Sequence, residues 1–134
     1  MARLNAIATD MEKADGGVWV TYEAGIEVKI ARWGNKNHQT YTQQLLRPHL
    51  SVIRGKNAEP ELLEDIDKQS AAKYILIDWK NIQDDNDKDI PYSPEKAFEI
   101  FKKPEYQDFY KFVVNVSMNR ENYRLDAQKD AEKN

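Results

Sequence analysis

The chain contains no cysteine and only two histidines in 134 residues. Without thiols there is no disulfide scaffold, no thiolate metal site and no cysteine nucleophile, and His38 and His49 lack the spacing of paired metal ligands. Glycine is scarce too. None of the five glycines falls in a Gly-x-Gly-x-x-Gly or Walker arrangement that would cradle a phosphate. Serines are present at 51, 70, 93 and 117, but none occupies a Gly-x-Ser-x-Gly elbow. No apolar run approaches the ~18 residues of a membrane span, and the opening MARLNAIATDMEKADGG holds no uninterrupted signal-like core. The expectation is a soluble intracellular protein with no catalytic residues, no cofactor, no metal and no membrane role.

What the chain has in excess is charge. Lys and Arg number 20 against 23 Asp and Glu, a net −3, and 32% of residues are charged where about 25% is usual. A broad phosphate-neutralising face does not suit that balance, so nucleic acid is not the expected partner. The apolar residues must be concentrated on a few faces of one domain spanning residues 1–134.

Residues 1–16 read as a loosely held arm or a short helix ending at the Gly16-Gly17 turn. Val18 to Tyr22 is β-branched and aromatic, Glu23-Ala24-Gly25 can turn, and Ile26, Val28 and Ile30 alternate with polar neighbours, which predicts a β-hairpin. From Gln39 to about Arg54, Tyr41, Leu45, Leu46, Leu50 and Ile53 recur at helical spacing around Pro48, which should kink or split the helix. A second helix is expected from Glu61, with Leu62, Leu63, Ile66, Tyr74 and Ile77 on its apolar side, running into the dense cluster Tyr74 to Trp79. Ser93-Pro94-Glu95 is a strong helix start, and Lys103-Pro104-Glu105 restarts a long last helix with an aromatic stripe from Tyr106 to Tyr123. The segment 126–134 should fray. The expected fold is α+β and mostly α-helical, an N-terminal β-hairpin followed by about four helices.

Lys80 to Tyr92 reads as a loop or small hairpin flanked by Ile82 and Ile90. Its Asp85, Asp87 and Asp89 alternate as in a calcium loop, yet Ile90 stands where the glycine belongs and Lys96 where the bidentate glutamate belongs. A solvated acidic turn fits better. Trp19, Tyr22 and Trp33 beside Lys29 and Arg32 offer a stacking surface for single strands, offset by Glu23 and Glu27. Part of the last helix's wide apolar arc is expected to meet a partner or another copy of the chain.

Three pieces in order resemble the tail assembly chaperones of long-tailed bacteriophages. They are Gly17 to Tyr22 followed by Ile26 to Arg32 and Asn35; Leu76 to Ile82; and Ile90 to Ala97 with Phe109 and Phe112 downstream. Many members of that family carry a glycine in the acidic turn, where this chain has Asn86-Asp87. The resemblance, spanning about Gly17 to Tyr123, implies a non-enzymatic assembly factor of the host cell cytoplasm, absent from the mature virion. Such a factor binds the tape measure protein, keeps it soluble and helps recruit tail tube protein. It also implies a second, longer form made by ribosomal frameshifting, for which codons at Glu132-Lys133-Asn134 could supply the slippery run. On this reading the partner-binding candidates are Trp79, Ile82, Tyr92, Phe98, Phe109 and Phe112, in a protein that forms homo-oligomers. The rival is a small phage regulatory or nucleic-acid-associated protein using the hairpin as its binding platform.

Overall fold

In the computed structural model, which describes residues 1–125, the N-terminal segment holds a 3-10 turn at Leu4–Ile7 and a short helix α1, Met11–Gly16. Asp10 caps α1, its carboxylate accepting the N–H groups of Glu12 and Lys13 at 3.0 and 3.3 Å. The segment is tied down behind that cap, because Ala14 is buried, Thr9 bridges Arg124, and the Asp10 N–H donates to the Tyr123 carbonyl. The helix stops at Gly17, whose φ of +86° only glycine adopts cheaply.

The hairpin forms as expected from the alternation. β1, Val18–Thr21, pairs antiparallel with β2, Glu27–Ile30, in the register Val18↔Ile30 and Val20↔Val28. Its connection uses Ala24 and Gly25 at positive φ. Trp33-Gly34 then turns the chain, with Gly34 at φ +84°, while Asn35 stays extended and caps α2, Lys36–Leu46, by accepting the His38 N–H at 3.0 Å.

Pro48 splits the next helix as its geometry requires. A 3-10 turn at Arg47–His49 separates α2 from α3, Leu50–Arg54. α4, Pro60–Tyr74, opens with proline at its first position, and it packs on α2.

The expected continuation of this helix through Ile77 is overturned. α4 ends at Tyr74 and the chain becomes a strand, β3, Leu76–Lys80, which pairs antiparallel with β2. The sheet order is β1-β2-β3, with a bulge opposite Lys29/Ile30 that places Leu76 across from Ile30 and Trp79 across from Val28. The open edge of β2 decides the matter: the run Ile75 to Trp79 is rich in strand-favouring types, and pairing satisfies backbone groups that a longer helix would leave exposed. The transition is pinned by the Ala31 N–H donating to the Ile75 carbonyl at 2.8 Å and the Asn35 amide donating to the Tyr74 carbonyl at 3.2 Å.

The acidic segment is a tight hairpin-like loop with an isolated bridge Gln83↔Asp89. Asp87, in the acidic turn, takes φ +62°, a left-handed conformation that Asp tolerates better than most residues. α5, Pro94–Lys102, begins at the Ser93 cap, whose hydroxyl accepts the Lys96 N–H at 3.0 Å. After a 3-10 turn at Pro104–Tyr106 comes α6, Gln107–Met118. It is shorter than the aromatic stripe suggested, because Asn119 turns extended and a 3-10 turn, Arg120–Tyr123, carries Tyr123 back to the sheet. There the Tyr123 hydroxyl donates to the Ile30 carbonyl at 3.0 Å, fully buried.

The fold is thus α+β and mostly helical, and among the described residues the split pair α2 and α3 counts as one of four helical units after the hairpin. Its core joins Val28 and Ile30 of β2, Leu76 and Trp79 of β3, Ala71 and Ala72 of α4, Ala97 and Phe101 of α5, and Phe109 and Val113 of α6. The tail expected to fray at 126–134 lies outside the described residues.

Candidate functional site

The six residues singled out from the sequence fall into two aromatic groups and one rim position. Trp79 is buried in the sheet and its indole N–H donates to the Ile90 carbonyl at 2.6 Å. Tyr92 meets it edge-on, with ring centroids 5.1 Å apart, and its hydroxyl reaches the carbonyls of Ala72 at 2.7 Å and Leu76 at 2.6 Å. Burial, and secondarily the carboxylates of Asp78 and Glu95, hold that phenol above its ordinary pKa, so it stays a donor. Ile82 accepts the Ile90 N–H at 2.8 Å through its carbonyl. These three residues fasten the acidic loop to β3 and the end of α4.

Phe109 and Phe112 clasp Tyr22, at centroid distances of 5.4 and 4.6 Å, and Phe109 also meets Phe101. Tyr22 is therefore fixed between hairpin and α6. Phe98 stands apart, half-buried under the Lys102 ammonium at 4.3 Å, on the rim of a shallow cavity of about 120 Å³ shared with Tyr41, Gln69, Lys73, Pro94 and Glu95.

The titratable groups build structure in the same way. His38 is buried against Trp33, accepts the Gly34 N–H on Nδ1 at 3.1 Å, and shares a 3.3 Å hydrogen bond with Ser70, whose hydroxyl also donates to the Asp67 carbonyl. Desolvation pushes its pKa below the usual histidine value. Asp84 accepts the N–H groups of Asn86 and Lys88, and Asp89 accepts from the Gln83 amide, so these carboxylates shape the turn. Among the described residues no group of three His, Asp or Glu side chains could hold a metal ion, and no helix is long and apolar enough to cross a membrane.

Among the described residues, exposed apolar side chains gather on three surfaces, besides Tyr106 and Met118 at either end of α6. On the outer face of the sheet, Trp19 is 39% exposed with the Lys80 and Lys29 ammonium groups 4.2 and 6.0 Å from its ring. Tyr22 and Trp33 do not join it, so the three-aromatic platform suggested by the sequence is not assembled. Where the N-terminal segment meets residues 124–125, Thr9 bridges Arg124 and the Leu125 N–H donates to the Ala8 carbonyl, and Leu4, Ile7, Met11 and Leu125 are exposed.

The third surface is the helical lobe formed by α2, α3 and the first half of α4. From Gln39 to Asp65 no residue is buried, although the stretch includes Leu45, Leu46, Leu50, Val52, Leu62 and Leu63. Its charges are segregated. No acid occurs between Val28 and Ala58, where Lys36, Arg47, Arg54 and Lys56 stand, and no base occurs from Glu59 through Asp67, where Glu61, Glu64 and Asp65 stand. Apolar periodicity alone did not single out this lobe, because helical spacing looks the same whether the stripe is covered or open. The charge segregation is the sequence signal that marks it.

A family model described as YdaY prophage protein matches residues 33–134, from the turn before α2 through the lobe, β3, α5 and α6. No curated protein and no solved structure matches the chain. With more than half of its length covered by that match, the chain belongs to the YdaY prophage protein family and is phage-derived.

Proposed function

We propose that the protein is a phage tail assembly chaperone that binds the tape measure protein, keeps it soluble and helps recruit tail tube subunits. It works by binding alone, in the host cell cytoplasm, and leaves before the virion matures. Membership of a prophage family supports the setting. The observation that carries the reading is the apolar surface of the N-terminal segment: Leu4 is 81% exposed, Ile7 68% and Met11 61%, on a chain rich in charged residues. A carrier of an amphipathic helical partner needs that combination, because apolar contacts supply affinity while the charged surround keeps the complex in solution.

Co-expression with the tape measure protein of the same prophage tests this. The tape measure protein is expected in the soluble fraction and to co-purify, and Leu4→Asp with Ile7→Asp should cut its recovery about tenfold while leaving the fold intact. A tape measure protein that stays insoluble beside well-folded wild-type protein overturns the reading.

The exposed Trp19 flanked by Lys29 and Lys80 favours a second reading, a nucleic-acid-associated protein that stacks single strands on the sheet face. Affinity for generic single-stranded DNA that falls steeply with salt would favour it. No binding down to low salt would leave the chaperone reading standing.

A further inference from the structure

We propose that the helical lobe, residues 36–67, is a self-complementary surface on which two copies of this chain pair about a two-fold axis. The lobe has the composition of an interface: Leu50, Val52 and Leu63 are 36%, 43% and 40% exposed, and nothing between Gln39 and Asp65 is buried by the chain's own fold. Two leucines and a valine held open to water on one lobe are costly unless something covers them.

The charge pattern selects the occupant. The outgoing arm, α2 and α3, is basic through Lys36, Arg47, Arg54 and Lys56; the returning arm, the start of α4, is acidic through Glu59, Glu61, Glu64 and Asp65. Among the described residues no ion pair joins the two arms within one chain. A uniformly basic partner would be repelled by the first arm and a uniformly acidic one by the second. A second copy carries both charges in the required order. In a two-fold arrangement residue i meets residue j and j meets i, so each basic arm faces an acidic arm while the leucines meet at the centre. The proposal does not rest on the chaperone role, which uses the N-terminal segment.

The test is the solution mass of the full chain by sedimentation and light scattering, up to about 0.1 mM at low and high salt. The expected result is a species of twice 15.7 kDa that weakens as salt rises. Leu50→Asp with Leu63→Asp should give monomer with an unchanged helical spectrum. Arg47→Glu, Arg54→Glu and Lys56→Glu together make both arms net acidic, and Glu61→Lys, Glu64→Lys and Asp65→Lys together make both net basic. Each variant should be monomeric alone, and the two mixed in equal amounts should form a heterodimer, which no folding defect could imitate.

A wild-type chain that stays monomeric at the highest concentration overturns the proposal, as does a dimer that survives all of these substitutions. If the wild type is monomeric but Leu63→Asp abolishes tape measure capture, the lobe belongs to that partner and the proposal fails. Loss of capture through Leu4→Asp with dimerisation unchanged bears on the chaperone reading alone.

Discussion

The Gly34 N–H donates to Nδ1 of His38 at 3.1 Å, which fixes the imidazole as the neutral tautomer with its proton on Nε2, facing the Ser70 hydroxyl at 3.3 Å. Protonating Nδ1 would place a second donor against the Gly34 amide in a buried site. Its pKa is lowered by desolvation, so the folded state binds this proton less readily than the unfolded chain does. The sign follows: stability contributed by neutral His38 is complete above the unfolded value of about 6.5 and is lost as pH falls towards the lower folded value. Urea denaturation across pH 7.5 to 5 should show that loss, at no more than about 1.4 kcal/mol per pH unit. His38→Gln should abolish the dependence in this window. Asp67, whose carboxyl is held above its usual value by burial and by Glu64, acts in the opposite sense at lower pH.

Gly17 is expected to tolerate no side chain. Its φ is +86°, and a Cβ there would come within 2.8 Å of Ile77 Cδ1, 3.2 Å of Lys29 Cγ and 3.3 Å of the Ile30 carbonyl carbon. Gly17→Ala therefore combines left-handed strain with overpacking between α1 and the sheet, a loss of about 2–4 kcal/mol in urea unfolding. Gly16→Ala is the control. A Cβ at Gly16 meets nothing within 4 Å, so that variant should be neutral or more stable by about 0.4–1 kcal/mol.

Tyr92→Phe removes a hydroxyl that serves both the Ala72 and Leu76 carbonyls. Leaving those acceptors without the donor should cost about 1–3 kcal/mol. Amide exchange should speed up in the Ile82–Ile90 loop before the sheet is affected, since Tyr92 and Trp79 together fasten that loop.

Ser93→Ala removes the cap of α5 and should cost about 1 kcal/mol, whereas Ser93→Asp should keep it, because a carboxylate can accept the Lys96 N–H and suits the positive end of the helix. Thermal unfolding of the two variants side by side checks the difference.

The hairpin, the Pro48 break, the Ser93-Pro94 helix start and the acidic turn were all legible in the sequence. Each rests on interactions within a few residues, a cap, a ring without an N–H, or a glycine at positive φ. Local chemistry of that kind is written in residue order.

The fate of Ile75 to Trp79 was not legible, since the same apolar run extends a helix or forms a strand, and only the open edge of β2, some fifty residues earlier in the chain, favours the strand. The six aromatic and aliphatic candidates were legible in the sequence only as apolar positions. Where they lie was decided by packing, which placed Trp79, Tyr92 and Phe109 inside the framework and left Phe98 on a rim. Likewise an apolar helical stripe carries no mark of whether the chain will cover it. Tertiary packing covered Phe101 and Val113 and left Leu50, Val52 and Leu63 open, because burial depends on which elements meet, and their meeting is set by long-range contacts that no local pattern specifies.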